Sequence, residues 1–168
     1  MTAASPTPPG EDRVISPADG LAQLSFLIHA ILEHRAREHD LSITQVRLLG
    51  VLRDRTPTMN ELAKLLDLDK SSITGLIDRA QRRGLVTRVP STTDRRAVLV
   101  ALTARGRSLA ATGTAHFEAD VAQLLSHLPP PDRQALSQLV SRLLITHATG
   151  QGIDLFTTTG DPQAGSVP

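Results

Sequence analysis

The sequence contains no cysteine, tryptophan or tyrosine, and aromatic residues make up only 2% of its 168 positions. Without cysteine the chain forms no disulfide, has no thiolate nucleophile and cannot sense oxidants through a thiol. The scarcity of aromatic side chains implies a core of leucine, valine, isoleucine and alanine, and it argues against a stacked aromatic cage for a ligand. No apolar run reaches the 18 residues expected of a membrane span.

The length suggests one domain or a compact two-part unit. The amino terminus lacks the basic and apolar segments of a signal peptide, so we expect a cytoplasmic protein. Residues 1–16 are rich in proline and small polar residues, which predicts a disordered arm. Residues 149–168 are mostly glycine, threonine, proline and other polar residues, and we expect a flexible tail there.

A net charge of +1 conceals an uneven distribution of charged residues. From Lys70 to Arg107 the sequence has nine lysines and arginines but only two acids, Asp78 and Asp94. A basic segment within an acidic remainder is typical of a protein that binds a polyanion such as nucleic acid. The alternative interpretation is a solvated basic face on an ordinary protein.

Apolar residues that recur every three or four positions predict six helices. The pairs Ser42 with Gln45 and Thr58 with Glu61 have the spacing of a capping box, so we expect a helix to begin after each Ser or Thr. Asp69 occupies an N-cap position, and Gly84 is suited to the residue that follows a helix. The first helix and the last two are expected at residues 19–39, 104–127 and 131–147.

Two short helices, the second at residues 70–83, are joined by a tight turn, which is the helix-turn-helix pattern. Residues 85–89 and 96–102 favour two strands, and the segment PSTTD between them favours a turn. Such a hairpin directly after a helix-turn-helix is called a wing. The predicted fold class is therefore mainly α with a small β-hairpin wing, a winged helix-turn-helix plus a helical dimerisation region.

The helix at residues 70–83 has chemistry suited to DNA. Ile73, Leu76, Ile77 and Ala80 form its inward stripe, so the residues between them face outward. Hydroxyls near a helix start can reach phosphates or bases, and Arg79 can read guanine or bind a phosphate. An ordinary polar helix face is the alternative. The outward residues are Ser71, Ser72, Thr74, Gly75, Asp78, Arg79 and Arg82.

The segment VPSTTDRRAVLV places two arginines at the end of the predicted wing turn. An arginine at a hairpin tip can enter the minor groove, where the negative potential attracts a guanidinium. We expect Arg95 to be the groove residue and Arg96 its support, with Asp94 orienting the turn. Alternatively, both arginines pair with acids of their own protein.

The stretch LAKLLDLDKSSITGLIDRAQRRGLVTRVPSTTDRRAVLVALTARGRSL resembles the winged helix-turn-helix of the MarR family of bacterial regulators. The resemblance covers roughly residues 18–147, and its pieces are specific only in combination. The matching residues are Leu62-Ala63, Asp69-Lys70-Ser71, Thr74, Gly84-Leu85-Val86-Thr87-Arg88, Asp94-Arg95-Arg96 and Leu102-Thr103-Ala104-Arg105-Gly106.

The resemblance implies a homodimer in which residues 17–40 and 104–148 form a helical dimerisation region. Residues 41–103 would bind double-stranded DNA at a near-palindromic operator, usually to repress transcription. Many relatives release DNA when a small, often aromatic, anionic compound binds between the two parts, and Phe26, His29 and Arg47 are the candidate ligand residues here. The candidate DNA-binding residues are Thr58, Asn60, Lys70, Ser71, Ser72, Thr74, Gly75, Arg79, Arg82, Arg95 and Arg96, with Asp94 as wing support.

Gly75 departs from the family pattern, since many relatives have a large, often basic residue there. Either the backbone approaches DNA closely at Gly75, or specificity depends on Arg79, the hydroxyls and the wing. We favour the second interpretation.

Other functions have less support. His29, His34 and His39 are five residues apart and share no helix face, so we expect no metal site. We also expect no cofactor. No catalytic constellation is apparent, which argues against an enzyme. A winged-helix module that binds proteins and not DNA remains the alternative function.

Overall fold

The computed structural model describes residues 15–91 and 97–150. In these ranges the protein consists of six helices and one antiparallel hairpin, as the predicted fold class requires. The predicted wing residues Asp94, Arg95 and Arg96 lie outside the described residues, as do most of the predicted arm and tail. The elements are α1 (Pro17–Glu38), α2 (Ile43–Asp54), α3 (Met59–Leu66), α4 (Lys70–Arg82), β1 (Val86–Pro90), β2 (Val98–Leu102), α5 (Ala104–Leu125) and α6 (Pro130–Gly150).

The predicted helix caps are present. The Ser42 hydroxyl accepts from the backbone N–H of Gln45 at 3.2 Å, and the Gln45 side chain accepts from the Ser42 N–H at 3.0 Å. Thr58 and Glu61 form the same reciprocal pair at the start of α3. These bonds satisfy N–H groups that have no partner within the helix, so each helix begins at a defined residue.

The turn after α4 requires glycine. Gly84 has a φ of +67°, in the left-handed region that glycine adopts without steric cost. The Leu85 N–H then donates to the Ala80 carbonyl at 3.0 Å, as in a Schellman-type helix end. Because Leu85 belongs to this helix end, β1 begins at Val86, one residue later than predicted.

One apolar core lies between α2, α3, α4 and the hairpin. The predicted inward stripe of α4 is confirmed, since all four of its residues are buried. Since α4 packs through this one stripe, its opposite side is left to solvent. The largest fully buried side chains are Leu48, Leu62, Leu66, Ile73, Leu76, Ile77, Leu85, Val86 and Val100.

The hairpin is attached to the start of α3 as well as to α4. Its register pairs Val86 with Leu102 and Pro90 with Val98. On the other side of β2, the Val100 N–H donates to the Pro57 carbonyl at 2.9 Å, and Thr58 forms a bridge with Leu99. The base of the wing is therefore hydrogen-bonded on both edges of β2.

The start of α5 packs directly against the backbone that follows α4. The Thr103 hydroxyl donates to the Gly84 carbonyl at 2.7 Å and accepts from the Gly106 N–H at 3.0 Å. Gly106 lies so close to the Leu85 carbonyl that a Cβ at this position would overlap its oxygen. A residue without a side chain is therefore required at this crossing.

The long helices α1 and α6 have apolar faces that the single chain leaves exposed. On α6 every residue except Leu136 and Ala148 is exposed. No helix among residues 15–91 and 97–150 is long and apolar enough to cross a membrane. The large exposed apolar side chains on these two helices are Leu21, Leu24, Phe26, Leu27, Leu139, Val140, Leu143, Leu144 and Ile145.

We expect the substitution Gly106→Ala to lower the free energy of unfolding by about 1–3 kcal/mol, because the methyl group forces α5 away from Leu85. Gly113→Ala, on the same helix, is the matched control. Nothing lies within 4 Å of a Cβ at Gly113, so alanine should stabilise the helix by up to about 1 kcal/mol. Urea unfolding of both variants measures the difference, and equal stability of the two would contradict the close crossing.

Candidate nucleic-acid interface and effector cavity

The outer face of α4 is basic and exposed. Among residues 15–91 and 97–150, the side chains of Lys70, Arg79 and Arg82 are exposed and make neither a hydrogen bond nor an ion pair. Gly75 lies between them, and a Cβ there would meet only the Arg79 Nη1 atom, at 3.2 Å. This face therefore has three guanidinium or ammonium groups available to an anionic partner.

The predicted hydroxyl donors of α4 are engaged within the protein. The Ser71 and Ser72 hydroxyls donate to the Asp69 carboxylate at 2.6 and 2.7 Å, and the Thr74 hydroxyl donates to the Lys70 carbonyl at 2.8 Å. The Ser72 N–H also donates to Asp69, at 2.8 Å. A phosphate at the start of α4 would therefore have to compete with the Asp69 carboxylate for the Ser71 and Ser72 donors.

These contacts stabilise the charged form of Asp69. The Ser71 hydroxyl, followed by the backbone N–H and hydroxyl of Ser72, holds the pKa of the Asp69 carboxyl well below its usual range. A capping residue that remains ionised keeps its negative charge at the positive end of the α4 dipole, which favours the helix.

Arg88 joins the wing to α4. Its Nη2 donates to the Asp78 carboxylate at 2.6 Å and its Nη1 donates to the Gln81 side chain at 2.5 Å. Asp78, which was predicted to face outward, thus serves as the partner of a β1 residue. No role was predicted for Arg88 from the sequence. Its place in the Gly84-Leu85-Val86-Thr87-Arg88 match to the family pattern was the only indication in the sequence that it has a function.

Arg83 joins the end of α4 to the turn between α1 and α2. Its guanidinium donates to the Asp40 carbonyl at 2.5 Å and to the His39 carbonyl at 2.9 Å. Asp40 has a φ of +53°, a conformation that turns the chain sharply between the two helices. This connection spans more than 40 residues and was not predicted from the sequence.

The two other candidate contacts lie at the start of α3. Thr58 is the N-cap, and its hydroxyl donates to the Glu61 carboxylate at 2.9 Å. Asn60 is exposed in the first turn. Thr58 is also bridged to β2, so this end of α3 lies beside the wing, whereas the predicted contacts at Arg95 and Arg96 lie outside the described residues.

A cavity of about 390 Å³ lies between α1, α2 and α5. Of the three predicted ligand residues, only Arg47 lines it. Phe26 is 66% exposed on α1, and His29 pairs with Glu33 at 3.4 Å. The aromatic residue of the cavity is Phe117, which was not among the predicted ligand residues. The main apolar lining residues are Leu32, Leu41, Val46, Leu49, Leu109 and Phe117.

The three arginines that line the cavity differ in whether another residue of the protein pairs with them. Arg53 is held by Asp54 at 2.8 Å and by the Thr114 hydroxyl at 3.2 Å, and Asp54 raises its pKa. Arg35 is bound to Asp120. Arg47 has no such partner among the described residues, so it is the cation at the rim that an acidic ligand could engage.

We expect the Asp69 cap to stabilise the protein only while it is ionised. Because its folded-state pKa lies below the unfolded value, the contribution is present above about pH 4 and is lost as the pH falls through the folded pKa. Thermal melts of the wild type and Asp69→Ala should differ at pH 7 and converge in strong acid. Asp69→Asn is the control, since it caps the helix without titrating. A gap between wild type and Asp69→Ala that does not narrow in acid would contradict this assignment.

Comparison with known proteins agrees with this architecture. Residues 39–97 match the sequence model of the MarR family. The fold is similar to that of wild-type apo MarR from E. coli, with 25% identity and a TM-score of 0.66 over 79% of this chain and 99% of the other.

Two further solved structures share the fold. The S. aureus MepR–DNA complex has 20% identity and a TM-score of 0.64, over 79% of this chain and 99% of the other. NadR in complex with 4-hydroxyphenylacetate has 23% identity and a TM-score of 0.64, over 80% and 96%. This protein is therefore similar to the MarR family, whose members are transcriptional regulators, in the sequence of its winged helix-turn-helix and in its fold over most of the chain.

Proposed function

We propose that the protein is a homodimeric repressor that binds a near-palindromic operator and responds to a small-molecule effector. Residues 41–103 bind the DNA, and residues 17–40 with 104–148 form the dimer. The observation that carries this proposal is the exposed basic face of α4, fixed in place by Arg83 and Arg88 at one end. A bacterial transcriptional regulator acts on the chromosome, so the proposed location of the protein is the cytoplasm.

The exposed apolar faces of α1 and α6 support dimerisation. Leu139, Leu143 and Leu144 are each more than half exposed on α6, and Phe26 and Leu21 are similarly exposed on α1. Apolar patches of this extent are unusual on a monomer and typical of an interface. A twofold dimer presents two α4 helices about one DNA turn apart, which matches a palindromic site.

The charges on α4 support a DNA contact through the major groove. Lys70, Arg79 and Arg82 can reach phosphates or guanine edges without first breaking a bond within the protein. Ser71, Ser72 and Thr74 accept from DNA donors more readily than they donate, because their protons are already shared with Asp69 and Lys70. The solved MepR–DNA complex has the same fold.

The cavity between α1, α2 and α5 supports effector binding. Its apolar walls suit a small hydrophobic body, and Arg47 suits a carboxylate at the rim. Since the cavity touches helices of both parts, a ligand there can change their relative orientation. NadR, which shares the fold, was solved with a small aromatic acid.

Gel retardation with the DNA upstream of the gene tests the proposal. Retardation that weakens as salt is raised is the expected result, because phosphate contacts release counterions. If no duplex is retarded even at low salt, DNA binding is refuted and the protein-binding winged-helix module becomes the better hypothesis.

We expect the double variant Arg95→Ala and Arg96→Ala to weaken DNA binding and to flatten its salt dependence. The slope of log affinity against log salt should fall by about one for each phosphate that the variant no longer neutralises. Arg133→Ala with Arg142→Ala removes the same charge from α6 and is the control, with size-exclusion chromatography confirming the dimer. A wing variant whose affinity and slope equal those of the wild type would show that the wing does not touch DNA.

We expect Gly75→Ala to stabilise the protein by about 1 kcal/mol, because glycine is unfavourable inside a helix. Its methyl group meets only the mobile end of Arg79. DNA affinity should stay within about threefold of wild type, whereas Arg79→Ala should lower it more than about tenfold. A large loss of affinity in Gly75→Ala alone would instead indicate that the DNA lies against the α4 backbone.

A further inference from the structure

Three side chains of types that can bind a metal ion meet beside the cavity, two at the end of α1 and one on α5. Glu38 ends α1, His39 follows it, and His116 lies in the middle of α5. One donor atom from each residue lies within 4.8 Å of the other two. The spacing of the α1 histidines could not indicate this group, because it is assembled across two helices.

The surrounding residues hold the Glu38 carboxylate in place. The Arg35 Nη1 donates to both Glu38 oxygens, at 3.0 and 3.2 Å, and the Arg35 guanidinium is anchored on Asp120 by two bonds of 2.7 Å. Asp120 offsets the positive charge of Arg35, so the group retains a net negative charge before any cation binds. Metal-ligating carboxylates are commonly oriented by hydrogen bonds of this kind.

The group is also accessible. Glu38 and His116 are exposed, and His39 is half-buried at the cavity wall. The exposed side chains can rotate, which matters because tetrahedral ligands about 2.0–2.2 Å from an ion lie roughly 3.3 Å apart. Closing the group from its present separation requires movements of about an ångström, which the exposed His116 side chain can supply by rotating toward the Glu38 carboxylate that Arg35 holds.

We propose that Glu38, His39 and His116 bind one divalent transition-metal ion of the zinc class, through two imidazole nitrogens and one carboxylate oxygen. Imidazole donors favour zinc, cobalt, nickel or copper over magnesium and calcium, which prefer oxygen ligands. A fourth position is left to water or another small ligand. The ion would tie the end of α1 to α5.

The site predicts a specific pattern of cobalt and zinc binding. Untagged protein titrated with Co²⁺ should develop the visible absorption bands of a tetrahedral site, and Zn²⁺ should abolish them by displacement. Zn²⁺ should also raise the melting temperature, since an ion that binds only the folded state stabilises it. The chain has no cysteine, so the bands report nitrogen and oxygen ligands alone.

Variants assign the ligands. We expect His116→Ala and His39→Ala to weaken Co²⁺ binding at least about tenfold and to remove the zinc-dependent rise in melting temperature. Glu38→Gln should weaken binding less, because it keeps an oxygen donor but loses the charge. His127→Ala, which removes an exposed histidine just past the end of α5, is the matched control and should bind as the wild type does.

The melting temperature without metal, measured for every variant, confirms that each one folds. Wild-type protein that gives no tetrahedral spectrum, or His116→Ala that binds cobalt as tightly as His127→Ala, would overturn the proposal. DNA retardation in the presence of a chelator is independent of this test, so the proposed regulator function can stand if the metal site fails.

Discussion

The close approach of Gly106 to the Leu85 carbonyl is the contact on which the position of α5 against the winged helix-turn-helix depends. At this crossing the first turn of α5 lies on the chain between α4 and β1, and Thr103 bonds to Gly84 on the same side. A side chain at Gly106 would separate α5 from the winged unit. Since α5 also carries Asp120, which holds Arg35 of α1, this crossing helps to set the positions of both α5 and α1 relative to α4.

Arginines perform two different tasks in this protein. Arg83 donates to backbone carbonyls and Arg88 to side chains of the protein, and these bonds fix α4 to the α1–α2 turn and to the wing. Arg79 and Arg82 have no such partner among the described residues and face outward. Charge alone does not distinguish these roles, because all four arginines belong to the same basic segment of the sequence.

Most local features were predictable from the sequence, since a cap or a helix stripe depends on residues within a few positions. The capping boxes at Ser42 and Thr58, the Asp69 cap and the Gly84 turn are examples. The partners of Arg83 and Arg88 were not predictable, because they are set by how α4 packs against distant segments. The same limit explains why Phe117, which lines the cavity together with Arg47, was not predicted, and why the Glu38–His39–His116 group was not foreseen.

The bonds from Arg83 to the carbonyls of His39 and Asp40 make α1 a lever arm for α4. With 22 residues at 1.5 Å each, α1 is about 33 Å long, so a rotation of about 5° around its far end displaces its carboxyl end by about 3 Å. A hydrogen bond to guanidinium does not stretch that far, so α4 must follow the helix or lose its anchor. In the proposed dimer, a small angular change between the two α1 helices would be converted into a linear mismatch with the helical repeat of DNA.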